Sequence, residues 1–250
     1  MASTKPFRFL DLPPELRSAI LTQVLVSESS ILLYDTTFLH PPLDAPSSFL
    51  NVFLVNTQLY QEASPIFYSQ NLFTLNAHSH RLPAHLTRRG GFLSEEGRDA
   101  RRRVRSLSLF ISRVGGEFER VLGPAMSDMV LSGNLRDLRL RLGPPSTVGA
   151  GRVPDPDVVH RPPFQALLRL LADPYLETAE LFVWKVHSAV FCPFHQNGGP
   201  ETRPDNGESV SEQGLAILRS SSGWVELDWK AIVDAYGEGQ QIVRIGDRCY

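Results

Sequence analysis

The residues predict an α+β chain: a small helical module at the N-terminus, then alternating strands and helices. The second part would form either a repeat-like α/β array or a compact α/β sandwich. Three observations carry this. Apolar residues recur at helical spacing in 9–25 and again in 49–68. From Val104 onward the pattern switches from strand to helix and back, ending in a third strand before His187. The composition is ordinary for a globular chain, with 250 residues, 42% hydrophobic and 21% charged. Such a length buries a core without disulfides or metals.

The net charge is −2, so the whole chain carries no polyelectrolyte signature for nucleic acid or a membrane surface. No apolar run is long enough to span a bilayer, and residues 1–8 lack the apolar centre of a signal peptide. Two cysteines, Cys192 and Cys249, and the absence of an Asn-x-Ser/Thr sequon suit a reducing compartment. A cytoplasmic and/or nuclear location is expected.

The first helix is expected from about Pro13 to Val26. Pro13 and Pro14 fall in the first turn, where no backbone donor is needed, and Asp11 is the expected N-cap. Leu16, Ile20 and Val24 form a stripe widened by Leu21 and Leu25, which by periodicity alone faces the core. Ile31 to Tyr34 reads as a short extended piece, followed by a Pro-rich loop. Ser47 and Ser48 can cap a second helix, which Phe49, Leu50, Val52, Phe53 and Leu54 suggest is buried on more than one face. Asn56 ends that helix or caps a third through Leu59, Tyr60 and Ala63. Pro65 is expected to kink or restart the third helix. Leu72 to Leu75 reads as a strand.

Two blocks in this stretch carry a resemblance. Leu12-Pro13-Pro14-Glu15-Leu16, followed by Ile20-Leu21 and Leu25, resembles the opening of an F-box, the helical module that docks on the Skp-type adaptor of cullin ubiquitin ligases. Phe53 to Tyr68, then Asn71 to Leu75, resembles the continuation seen in a large fungal F-box-like family. Tyr60 falls where an ordinary F-box often has a tryptophan. The resemblance implies partner contacts by Leu12, Pro13, Glu15, Ile20 and Leu21. The implied partners are a Skp-type adaptor with its cullin ligase, and a protein target. The helix-in-groove mode gives these contacts a physical basis. No cofactor, metal or catalytic residue is implied, and the chain itself would not be an enzyme. The insert at 27–48 separates the blocks and supports an alternative, a stand-alone interaction scaffold that kept the fold without adaptor binding.

The expected organisation is therefore a helical module over 1–76, a linker over 77–103 and an α/β interaction domain over 104–250. The run Arg98 to Arg105 is the one strong charge cluster. It reads as a solvated helix end leading into a strand, or as a nuclear-import or phosphate-binding element. Val104 to Ile111 and Asn134 to Leu142 alternate as strands, and Ala179 to Val186 is the third. Phe118 to Val130, bent at Gly123-Pro124, and Phe164 to Leu171 are the helices between them. This succession implies right-handed crossovers and a parallel sheet. Leu107, Leu138 and Leu181 are spaced by about 31 and 43 residues, within what a leucine-rich-repeat-like array tolerates. Residues 193–214 read as a polar loop. Trp224 and Trp229 bracket a helix from Leu227 to Ala235, and residues 241–245 add an edge strand.

The sequence lacks the phosphate-binding, zinc-protease and serine-hydrolase motifs. His187, Cys192 and His195 are the only cluster of metal-ligand types, one ligand short of a structural zinc site. A Cys192–His195 nucleophile pair would need an orienting group that the sequence does not supply. Asp155 and Asp157 lie in a Pro-rich loop, where turn chemistry is the simpler role.

Overall fold

The structure, a computed structural model, describes residues 8–33, 51–77, 82–112, 114–143, 156–184, 217–221 and 223–236. A 3-10 turn at Phe9–Asp11 leads into helix α1 (Pro14–Leu25) and a two-residue strand β1 (Ile31–Leu32). Helices α2 (Val52–Val55) and α3 (Thr57–Gln70) precede strand β2 (Leu72–Ala77). Helices α4 (Ala84–Thr87) and α5 (Arg98–Arg103) precede β3 (Ser106–Ile111). A π-helical turn (Phe118–Leu122) and helix α6 (Gly123–Leu131) precede β4 (Asp137–Leu142). A 3-10 turn (Pro156–His160) and helix α7 (Pro162–Leu171) precede β5 (Thr178–Trp184). The hairpin β6 (Ile217–Ser221) and β7 (Trp224–Leu227) and helix α8 (Trp229–Tyr236) follow.

The chain is mixed α/β with one mostly parallel sheet. Among the described residues its seven strands lie in the order β1-β2-β3-β4-β5-β7-β6. Strands β1 to β5 are each parallel to the next, and β7 is antiparallel to both of its neighbours, β5 and β6. A parallel neighbour needs a crossover, which the helices between strands supply. Because spatial order follows chain order, crossovers of one hand fall on one face of the sheet.

That face holds the core. Alternate strand residues such as Phe73, Leu75, Leu107, Leu109, Leu138 and Leu140 are buried and share one cluster with Met126, Met129, Phe164 and Leu167 of the helices. Each fully buried side chain of this size contributes roughly 1.5–3 kcal/mol. The intervening residues, among them Thr74, Ser108, Phe110, Arg139, Arg141 and Phe182, point the other way, as strand geometry requires. The turns that lead into the strands are stacked on one another. Arg105 N–H donates to the Tyr68 carbonyl (3.1 Å), Arg136 N–H to Arg105 (2.9 Å) and Glu177 N–H to Arg136 (2.8 Å).

Several expectations change. β2 was expected to close the N-terminal module, but Leu72 to Ala77 pairs residue by residue with Ser106 to Ile111. β1, from the expected insert, pairs with β2 at Ile31↔Phe73 and Leu32↔Thr74. The sheet thus runs through the expected 76/77 boundary, because Phe73, Leu75 and Ala77 can be buried only under the helix layer. The expected linker holds α4 and α5 and buries Leu86 and Arg101. Helix α3 continues through Pro65, with Ala63, Ile66 and Phe67 anchored in the core on either side of it. In the third unit the register falls two residues from the leucine spacing: Leu138 pairs with Ala179, and Leu140 with Leu181.

Candidate interaction surfaces

Proline fixes the approach to α1. Pro13 occupies the N-cap with φ −54° and ψ 146°, and its carbonyl accepts from Leu16 N–H and Arg17 N–H, each at 3.1 Å. Asp11, the expected cap, ends the preceding 3-10 turn instead, and no side chain caps α1.

Arg17 holds this approach in place. Its Nε and Nη2 donate to the Glu62 carboxylate on α3 at 2.8 and 2.7 Å, and its Nη1 donates to the carbonyls of Leu10 (3.2 Å) and Leu12. Gln58 adds a bond to Glu62 at 3.1 Å. The Arg17 hydrogen bond, then that of Gln58, holds the Glu62 carboxyl below its ordinary range. At the other end, buried Asn71 ties α1 and α3 together. Its Nδ2 donates to the carbonyls of Leu25 and Phe67, both at 2.9 Å, and its Oδ1 accepts from Ser27 N–H at 2.8 Å. Asn56 both follows α2 and caps α3, accepting from Leu59 N–H at 2.8 Å.

The face of α1 that meets the core is Arg17, Leu21 and Leu25. Leu16, Ile20 and Val24 are 53%, 42% and 51% exposed. Periodicity centres the core face on Leu16, Ile20 and Val24 with Leu21 and Leu25 beside them; only the latter two are buried, because the charge on Arg17 disguises the row to which they belong. Of the expected contact residues, Pro13, Glu15 and Ile20 are exposed and Leu12 is half-buried. Leu21 is 2% exposed, so it is a core residue and is withdrawn from any contact surface. Leu16 and Val24 belong to the exposed row, and their i, i+4 spacing with Ile20 was the signal for them. Helix α2 is a single turn against α3 and buries no residue fully, contrary to expectation; its Leu54 is 83% exposed. Tyr60 of α3 is also exposed, meets Phe53 edge-on at 6.0 Å and accepts from Arg103 at 3.0 Å.

The arginine run is not a solvated helix end. Arg98 and Arg102 donate to both carboxylate oxygens of Asp128 on α6. Arg101 is buried and donates to the carbonyls of Phe92 (3.1 Å) and Ser94 (2.8 Å). Arg103 reaches Ser64 at 2.8 Å, and Arg105 pairs with Glu177 at 2.6 Å. Hydrogen bonds from Arg102 and then Arg98 hold the Asp128 carboxyl far below the usual carboxylate range, against the opposing effect of burial. The run links α5 to α3, α6 and the strand ends, which leaves little of it to present to a phosphate or a transport receptor.

A cavity of about 350 Å³ lies at the C-terminal ends of β2 and β3, lined by Ala77, Ile111, Phe118 and Leu122 with Glu117 and Arg161 at its charged positions. His187, Cys192, His195, Cys249 and Asp155 lie outside the described residues, as do the expected edge strand at 241–245 and the loop at 193–214. Among the described residues no group of three or more His, Cys, Asp and Glu could hold a metal ion, and no helix is long and apolar enough to cross a membrane. No protein-family model, curated protein or solved structure matches the chain.

Proposed function

We propose that the chain is an F-box-like adaptor that presents a protein target to a cullin ubiquitin ligase through a Skp-type subunit. The observation that carries the reading is the exposed row Leu16, Ile20 and Val24, behind a Pro-Pro approach that Arg17 holds in one conformation. Apolar rows left in water favour a partner that covers them, and a helix with anchors on one side is the ordinary ligand of an apolar groove. Pre-ordering of the approach lowers the entropic cost of docking. The contact set is Leu12, Pro13, Glu15, Leu16, Ile20 and Val24.

The rest of the chain supports the target-holding half of the reading. Parallel strands in chain order, one helix layer and hydrogen-bonded turns resemble a short leucine-rich-repeat-like array more than a sandwich with two covered faces. Such arrays leave one strand face for binding. In this reading the ligase's other subunits perform the chemistry, the chain is not itself an enzyme, and the complex works in the cytoplasm and/or nucleus.

The test uses the full chain, since β2 needs β3 as its sheet partner. Co-elution with a purified Skp-type adaptor is expected, and Ile20→Asp/Val24→Asp should abolish it while leaving the circular dichroism spectrum unchanged. A folded wild-type chain that elutes alone would remove the adaptor reading and leave the stand-alone scaffold.

A further inference from the structure

The strand face away from the helices carries two guanidinium groups around one ring. Arg139 and Arg141 of β4 lie 5.7 and 5.9 Å from the ring centre of Phe182 on β5. Arg139 is neutralised by Glu180, to which its Nε donates. Arg141 is exposed, and among the described residues no carboxylate lies within ion-pair distance of it. Glu226, across Phe182 on β7, is buried rather than presented. Arg141 is therefore the guanidinium of the cluster without an ion pair among the described residues. Partial desolvation of the side chain, then repulsion from Arg139, pushes the Arg141 guanidinium down from its ordinary value, and the Glu180 carboxylate opposes this only in part.

An aromatic wall stands beside this cation. The Phe110 ring lies across Gly143 and meets Trp224 edge-on at 5.8 Å; Trp224 meets Trp184 at 5.4 Å. Glycine is required at both ends of the wall. A Cβ on Gly143 would overlap the Phe110 ring, and Gly223 has φ +90° with Trp184 packed against it. Beyond β3 the same face continues to half-buried Thr74 on β2, while Ser108 between them is buried.

We propose that this face binds an extended peptide of a target protein, with an anionic side chain, carboxylate or phosphate, on Arg141 and an apolar neighbour against the Phe110–Trp224–Trp184 wall. A planar guanidinium beside Phe182 offers two parallel hydrogen bonds to such a group. One free cation beside aromatic rings suits a peptide better than a nucleic acid backbone, which needs a series of cations along its track. The proposal rests on the adaptor reading only for what the peptide belongs to, not for the binding itself.

The test is fluorescence polarisation of the full chain with pools of short capped peptides. Each pool has Glu, phosphoserine or Gln fixed at the centre and Leu or Trp fixed beside it. Glu or phosphoserine pools should bind at least tenfold tighter than the Gln pool, and the stronger of the two identifies the source of the anion. Arg141→Gln should remove that preference. Phe182→Leu, which keeps both charges, should weaken it and serves if the first variant does not fold. Arg120→Gln, an exposed charge on another element, should change nothing. Binding of the Gln pool as tight as that of both the Glu and the phosphoserine pools, no binding of any pool, retention of the preference in folded Arg141→Gln, or tighter binding of a single-stranded RNA oligonucleotide would each overturn the proposal. A chain that binds the acidic pools but not the Skp-type adaptor keeps this site and loses the adaptor reading; the reverse result removes this site alone.

Discussion

Helices α1 and α7 both start at a Pro-Pro pair and both are rich in leucine, yet they use their apolar residues differently. α7 buries Phe164, Gln165, Leu167, Leu168, Leu170 and Leu171, and Arg169 marks its exposed side. Its one buried polar side chain is satisfied, with Gln165 Nε2 donating to the Val159 carbonyl at 2.6 Å. α1 buries a charge with two leucines and exposes three aliphatic residues. The difference shows that apolar spacing locates a buried face only when the charges lie opposite it. Where a charge is buried with its own partner, the apolar residues left outside become available to another molecule.

Substitutions can break this contrast, beginning with the strongest. Phe164→Ala removes a fully buried ring from α7 and should cost about 3–5 kcal/mol in urea unfolding followed by circular dichroism. Leu21→Ala on α1 should cost about 2–4 kcal/mol. A loss below about 1 kcal/mol would mean that the wrong face of α1 has been assigned to the core.

Asp128→Asn tests whether buried and half-buried arginines are structural elsewhere in the chain. It leaves Arg98 and Arg102 without their shared carboxylate and should cost about 2 kcal/mol near neutral pH. The pH dependence has a definite sign. The folded pKa of Asp128 lies far below the unfolded value of about 3.9, so its contribution is present above that value and is lost as pH falls below it toward the folded pKa. Wild type and Asp128→Asn should therefore converge in stability as the solution is acidified from about pH 5, and a gap that stays constant would argue against the ion pairs. Leu16→Ser and Val24→Ser, the smallest effects, should stay within about 0.5 kcal/mol of wild type. A larger loss would show that their row is covered within the chain.

Much of the sheet was legible because its strands alternate cleanly. Leu138, Leu140 and Leu142 mark the core, with Arg139 and Arg141 between them, and the register bears out that alternation. The two-residue strand β1 was not legible as sheet, since its pairing is with β2, far along the chain, and two residues carry no period. The spread of the sheet across the expected module boundary was hidden for the same reason. The surface proposed for contact was legible in part. The Pro-Pro approach and Ile20 stand out in sequence, but Leu21 follows the same spacing and only packing tells them apart. The cluster at Arg141 depends on strands adjacent in space, so no local motif signals it.

The most direct measurement is a calorimetric titration of a purified Skp-type adaptor into the full chain, repeated with Leu16→Ser/Ile20→Ser/Val24→Ser. Saturable binding with a negative heat-capacity change, absent in the folded triple variant, is the expected result, because burial of that row is what would drive association. Binding of undiminished strength by the triple variant, or no binding by the folded wild type, would contradict the proposal that α1 is a docking helix.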